Sequence, residues 1–294
     1  MAEVVQNCPL CGSSAFKPFD QREFRGHPVT NQLCAACGLV IQSPRMTEAE
    51  SKAFYEAEYR RLYQGQEGPN PKDLAVQSAR AEYTLGFIQP QVKKLSRILD
   101  IGCSTGLLLQ HLRTHYRAQA LGIEPGQLYR QYAQALNLEI YPSLEDLQDA
   151  GENAFDLICM MHVLEHLPDP VAYLQNLKEK LLTPAGWLLL EVPNLYAHDS
   201  FEVAHLVSFS SHSLIQVVQK SGYRITQLRI HGHPRSQLIP LYITLLAQSE
   251  GSQPHSVKPE HLVRTKRQVG FLRRRLVTRL FPDRAWLPIR EGKP

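Results

Sequence analysis

The stretch Arg97-Ile98-Leu99-Asp100-Ile101-Gly102-Cys103-Ser104-Thr105-Gly106 decides the fold of this chain. Ile98, Leu99 and Ile101 make the short apolar run of a strand buried in a parallel sheet. Asp100 interrupts the run near its end. Gly102 and Gly106 mark a turn, and Leu107 to Tyr116 read as a helix behind it. A strand, a glycine turn and a helix start let backbone approach a bound cofactor closely. The spacing is Asp-x-Gly-x-x-x-Gly rather than Gly-x-Gly-x-x-Gly.

Downstream residues extend the pattern. Gln119 to Glu124 reads as a second strand, and Glu124 lies 22 residues beyond Gly102. An acid at that distance, at the carboxyl end of strand two, is placed to accept ribose hydroxyls. Gln127 to Leu136 reads as a helix and Leu138 to Tyr141 as strand three. Phe155 to Met161 is a fourth strand buried on both faces, followed by His162-Val163-Leu164-Glu165-His166-Leu167-Pro168-Asp169-Pro170. Val171 to Leu182 is a helix, Pro184-Ala185-Gly186 a turn, and Trp187 to Val192 strand five, ending in Pro193-Asn194. Ser213 to Ser221 is a helix, with Arg224 to Ile230 and Leu238 to Ala247 as the last two strands. Alternating strands and helices predict an α/β, doubly wound sheet.

The glycine turn resembles motif I of the class I S-adenosylmethionine (SAM) methyltransferases, and His162–Pro170 resembles their motif IV and post-motif. The resemblance implies a seven-stranded Rossmann-like sheet in the order 3-2-1-4-5-7-6 with strand seven antiparallel. It implies SAM as cofactor, held by Asp100, Gly102, Cys103, Gly106, Glu124 and Pro125. Leu144 and Glu145 would border the adenine, and Met161 and His162 would line the methionine and sulfonium end. His166 is expected to cap and pack.

Cys8-Pro9-Leu10-Cys11-Gly12 and Cys34-Ala35-Ala36-Cys37-Gly38 are two copies of Cys-x-x-Cys-Gly with 22 residues between them. Four thiolates from two tight turns complete a tetrahedral zinc shell, and a closed four-cysteine site is structural. Thr47 is a helix N-cap with Glu50 completing a capping box. The helix after it aligns Tyr55, Tyr59 and Tyr63, a stripe that serves packing or lids a substrate. Four segments follow: a zinc ribbon over 1–45, a helical linker or lid over 46–90, the SAM domain over 91–248, and a linker with a basic helix over 249–294.

Composition narrows the setting. The 294 residues are 43% hydrophobic and 20% charged, as in an ordinary globular protein. No stretch reaches the 18 or so apolar residues of a membrane span, no signal peptide is visible, and paired cysteines fit a reduced, cytoplasmic setting. The net charge of +4 is uneven. Residues 258–294 hold eleven Lys/Arg against three Asp/Glu, leaving 21 against 25 elsewhere. Over His261–Phe281, Val269, Leu272, Leu276 and Leu280 recur at helical spacing among six arginines. Such a helix packs its apolar side on the domain or on a second subunit and solvates its basic side, or touches an anionic membrane, or binds RNA.

The whole architecture resembles the zinc-ribbon methyltransferases of bacterial polysaccharide and deoxysugar pathways. Their C-methylating branch carries Glu-His-x-x-Tyr-Phe-Ser where this chain has Ala204-His205-Leu206-Val207-Ser208-Phe209-Ser210. The histidine and Phe-Ser match; the glutamate and tyrosine do not, which favours methylation of a sugar hydroxyl over a sugar carbon while leaving the carbon open. His205 is the candidate general base. Tyr55, Tyr59, Asn194 and Phe209 are candidate substrate contacts. No catechol-type acidic cluster stands out, so no catalytic magnesium is expected. Three readings stay open: a methyltransferase for a small-molecule or glycan acceptor, an RNA methyltransferase gripping its substrate with ribbon and tail, and a non-catalytic SAM-binding scaffold.

Overall fold

The structure, a computed structural model, describes residues 3–47, 50, 54, 68–251 and 255–288. The N-terminal strands are β1 (Phe16–Phe24), β2 (His27–Cys34) and β3 (Val40–Gln42). Helix α1 (Pro71–Ile88) leads into β4 (Arg97–Ile101), α2 (Leu107–Tyr116), β5 (Gln119–Ile123), α3 (Gln127–Ala135), β6 (Glu139–Tyr141) and α4 (Leu144–Asp149). Then come β7 (Phe155–Met161), α5 (Pro170–Lys180), β8 (Leu182–Pro193), β9 (Val207–Ser208), α6 (Ser211–Lys220), β10 (Tyr223–His231) and β11 (Tyr242–Ser249). The chain closes with α7 (Val263–Leu280) and α8 (Pro282–Ala285).

Seven strands form one sheet in the order β10-β11-β8-β7-β4-β5-β6. β11 runs antiparallel to both β8 and β10, and the other pairs are parallel. This is the expected seven-stranded Rossmann-like order with its penultimate strand reversed. Successive side chains on a strand point to opposite faces, and the core divides accordingly. Leu99, Ile101, Ile158, Met160, Leu188 and Leu190 pack toward α5 and α6. Ile98, Leu157, Cys159 and Leu189 pack toward α1 and α2.

Three features differ from expectation. Pro184-Ala185-Gly186 is not a turn between elements: β8 already starts at Leu182, which pairs with Phe155 ahead of a register shift. β11 starts at Tyr242 instead of Leu238, because the amides of Leu238 and Ile239 donate to Ser236 Oγ and are lost to the ladder. The largest difference is α7. Arg264, Arg267 and Arg274 bond to the body of the protein while its leucines face solvent, the reverse of what helical periodicity predicts.

The N-terminal segment is joined to the main body through a shared sheet. A second sheet has the order β1-β2-β3-β9, and its last strand belongs to the loop that carries His205. The Gln42 amide donates to Leu206 O at 2.8 Å. Thr47 and Glu50 form the expected capping pair, each side chain meeting the other's backbone amide. Tyr55, Tyr59 and Tyr63 lie outside the described residues.

Candidate active site

The glycine turn after β4 forms because Gly102 and Gly106 both sit at φ 73°, where a side chain is strained. A Cβ on Gly102 would meet Val163 Cγ2 at 2.6 Å, so the turn is pressed against the segment after β7. A Cβ on Gly106 would meet Leu138 and Ala133, so this glycine serves close packing of α2 on its neighbours and does not line the cavity. From α1, Gln77 reaches Thr105 Oγ1 and Ser104 Oγ, fixing that helix over the turn.

At the carboxyl ends of β4, β5 and β7 the chain encloses a cavity of about 620 Å³. Small-molecule sites commonly span about 300–1,000 Å³. Asp100, Gly102, Cys103, Glu124, Pro125, Met161, His162 and His205 all border it, so one space unites eight residues singled out in the sequence. Glu124 is buried and held by two amides: Ser104 N–H donates to Oε2 at 3.0 Å and Gly126 N–H to Oε1 at 2.8 Å. Each carboxylate oxygen can accept more than one hydrogen bond. Asp100 is buried with Oδ1 lacking a hydrogen-bond partner, and burial, then the Glu124 charge, pushes its carboxyl up to about 8. A cradle too tight for a Cβ, an orphaned acid and a held carboxylate fit the SAM site that the motif implies.

Other expected contacts fall elsewhere. Leu144 is half-buried against the core and Glu145 is exposed. Both open α4, which Ser143 caps, and neither lines the cavity. The Asn194 side chain is committed to backbone, donating to Pro240 O at 2.8 Å and accepting from the Tyr196 amide at 3.1 Å. Phe209 is core, with its backbone bridged to Asn194. Neither lines the cavity.

The opposite wall is rich in histidine. His205 Nδ1–H donates to Ser200 O at 2.8 Å, which leaves Nε2 as the proton-accepting nitrogen. Burial lowers its pKa below the ordinary value, so the ring is neutral at pH 7. His166 borders the cavity too, in addition to the packing role expected of it. Its Nδ1–H donates to Ala204 O at 2.8 Å, and its ring centroid lies 4.8 Å from that of His205. Burial, then the neighbouring His205, brings its pKa down to about 4. Burial opposes ionisation of Glu165, yet the close His162 ring and the adjacent histidines bring its pKa to about 2. Donor atoms of Glu165, His166 and His205 lie within 4.8 Å of one another. Such a set can stabilise a proton taken up by histidine; its composition also suits a divalent cation.

His162 is unlike the other two. At φ 58° its ring lies between carboxylates, with Nδ1 3.3 Å from Glu165 Oε1 and Nε2 3.1 Å from Glu191 Oε1. Burial and Arg80 oppose a charge on it, but the two carboxylates prevail and its pKa is raised. Glu191 is fully buried and also meets Arg80 Nε at 3.0 Å and Thr244 Oγ1 at 2.7 Å. Arg80, His198 and Tyr242 on this wall had no motif to announce them. α1 brings in Arg80, β11 Tyr242 and the loop after β8 His198, by tertiary packing alone.

The four cysteines of the N-terminal knuckles converge. Cys8 Sγ lies 3.6 Å from Cys37 Sγ and Cys11 Sγ 3.5 Å from Cys34 Sγ, and all four fall within 4.8 Å. Sulfurs around a tetrahedral zinc with bonds of about 2.3 Å stand roughly 3.8 Å apart. Gly12 and Gly38 take φ 75° and 84°, and their amides return to Cys8 O and Cys34 O.

A family profile described as a methyltransferase domain matches residues 58–228. The chain belongs to that methyltransferase family. Its domain is of the class I SAM-dependent kind. A ubiquinone biosynthesis O-methyltransferase from Dinoroseobacter shibae is 36% identical over 129 residues, 42% of this chain and 51% of the relative. A tRNA U34 carboxymethyltransferase from Alteromonas mediterranea is 30% identical over 127 residues, 38% of this chain and 37% of the relative. The chain thus spans about half or less of these relatives. The crystal structure of Burkholderia thailandensis 1,6-didemethyltoxoflavin-N1-methyltransferase, with bound 1,6-didemethyltoxoflavin and S-adenosylhomocysteine, shares the fold. Its TM-score is 0.55 at 15% identity, covering 72% of this chain and 96% of that one.

Proposed function

We propose that the protein transfers a methyl group from SAM to a hydroxyl oxygen of a small polar acceptor, a sugar or glycan hydroxyl, with His205 as general base. One observation carries this reading: a neutral histidine of fixed tautomer borders the same cavity as the held Glu124 and the orphaned Asp100. Bound SAM would supply a sulfonium methyl ready for in-line displacement. Glu124 would accept the ribose hydroxyls, Asp100 and the Gly102 turn would face the methionine end, and Met161 would cover it. His205 Nε2 would take the hydroxyl proton as the oxygen gains its new bond. The Glu165 carboxylate would stabilise the resulting imidazolium. His162, held between Glu165 and Glu191, would serve as an anchor and not as the base. Polar side chains on the acceptor side, among them Arg80, His198, Glu202 and Arg235, suit an acceptor rich in hydroxyls.

The four cysteines would hold a structural zinc. Through β3 and β9 that ribbon braces Leu206, the neighbour of His205. Transfer of tritiated methyl from SAM to fractionated cell extract tests the proposal. Label on an alkali-stable ether oxygen of a small molecule or glycan supports it; label on carbon or on RNA refutes it. Turnover is expected to be independent of added Mg²⁺ or Mn²⁺.

A further inference from the structure

Helix α7 is mounted by three of its arginines, Arg264, Arg267 and Arg274. Arg267 is 9% exposed, with its guanidinium 4.0 Å from the Phe201 ring centroid and 4.4 Å from that of Phe271. It donates to Leu195 O and pairs with Asp199 at 3.3 Å. Arg274 donates to Ala197 O at 2.9 Å, and Arg264 to Phe19 O at 2.9 Å. A Cβ on Gly270 would collide with the Tyr196 carbonyl, so the helix seats directly on the backbone after β8. These contacts fix its rotation.

The rotation turns the apolar ridge to solvent. Val269, Leu272, Leu276 and Leu280 are 61, 58, 51 and 64% exposed, and Leu262 and Phe281 extend the ridge at either end. Among the described residues, ten large apolar side chains are exposed and seven of them lie between 262 and 286, so the exposure is concentrated. At about 100° per residue, the ridge from Val269 to Leu280 fills only roughly 80° of arc. Exposed basic side chains flank it, Arg273 and Lys266 on one side, Arg275 and Arg279 on the other. No acidic residue occurs from 261 to 282.

We propose that α7 docks the protein, lying flat, on an anionic lipid surface. A narrow apolar ridge between two basic rails is the profile of a helix that lies in the membrane interface. The ridge enters the acyl boundary while arginine stems carry their guanidinium groups up to lipid phosphates. A second copy of this chain fits less well, because it would set basic rails against basic rails. No described helix is long and apolar enough to cross a membrane, so the contact is peripheral.

The test is co-sedimentation of the full chain with phosphatidylcholine vesicles, with and without phosphatidylglycerol. Binding should require phosphatidylglycerol and weaken with salt. Leu272→Glu with Leu276→Glu should weaken it by at least about tenfold while leaving the unfolding midpoint in place, since both side chains already face water. Arg275→Gln with Arg279→Gln should abolish the preference for phosphatidylglycerol. No binding to anionic vesicles, equal binding to neutral ones, or a dimer in light scattering that Leu272→Glu with Leu276→Glu dissociates would each overturn the proposal. None of these readouts depends on the identity of the methyl acceptor.

Discussion

His205 is tied through Nδ1 to the Ser200 carbonyl at 2.8 Å, and its ring centroid stands 4.8 Å from that of His166. The first contact selects the tautomer and the second keeps a like group close, so protonation of either ring discourages protonation of the other. Burial lowers both pKa values below 6.5. A base must be unprotonated to act. Turnover should therefore be flat through neutrality and fall only as the pH drops below 6.5. A rate that halves at or above pH 7 on its acid side would contradict a buried neutral base. The profile is read from initial rates in constant-ionic-strength buffers.

Glu124 organises the cofactor end by gathering the Ser104 and Gly126 amides. Glu124→Ala removes the acceptor and strands two amide donors. SAM affinity should drop by about 100-fold, the scale of losing charge-assisted hydrogen bonds. Calorimetry with SAM checks it. Affinity within about twofold of the parent would remove Glu124 from the site.

The cysteine cluster shares a core with Leu206 and Phe209, next to His205. Stripping the metal, or Cys8→Ser with Cys37→Ser, should lower the unfolding midpoint by about 10 °C, as loss of several kcal/mol of folding energy requires. Turnover should fall with it while SAM affinity is largely kept, because the glycine turn lies on the other wall. Elemental analysis should find one zinc per chain. A chain without zinc and with an unchanged midpoint would end this reading.

Much of the frame was legible because it rests on local rules. Ile98–Ile101 had to be a central strand, and Gly102 and Gly106 had to relieve a positive φ. Glu124 had to end strand two. The strand order followed from family resemblance. What was hidden depends on partners distant in sequence. Periodicity placed the leucines of α7 inward because it weighs apolar area alone. It could not see that residues 195–199 present backbone carbonyls, or that Phe201 and Phe271 offer ring faces for guanidinium groups. His166 looked like a cap because its neighbour in space, His205, lies 39 positions on. Asn194 looked like a substrate contact because it ends a strand, where the unpaired backbone of Tyr196 and Pro240 claimed it first.

The central claim is tested most directly by His205→Asn, assayed for SAM binding and for methyl transfer side by side. Affinity for SAM should stay within about twofold of the parent, while kcat falls by about 10²–10⁴, the usual worth of a general base. Unchanged kcat, or a loss of SAM affinity in proportion to the loss of rate, would contradict the assignment.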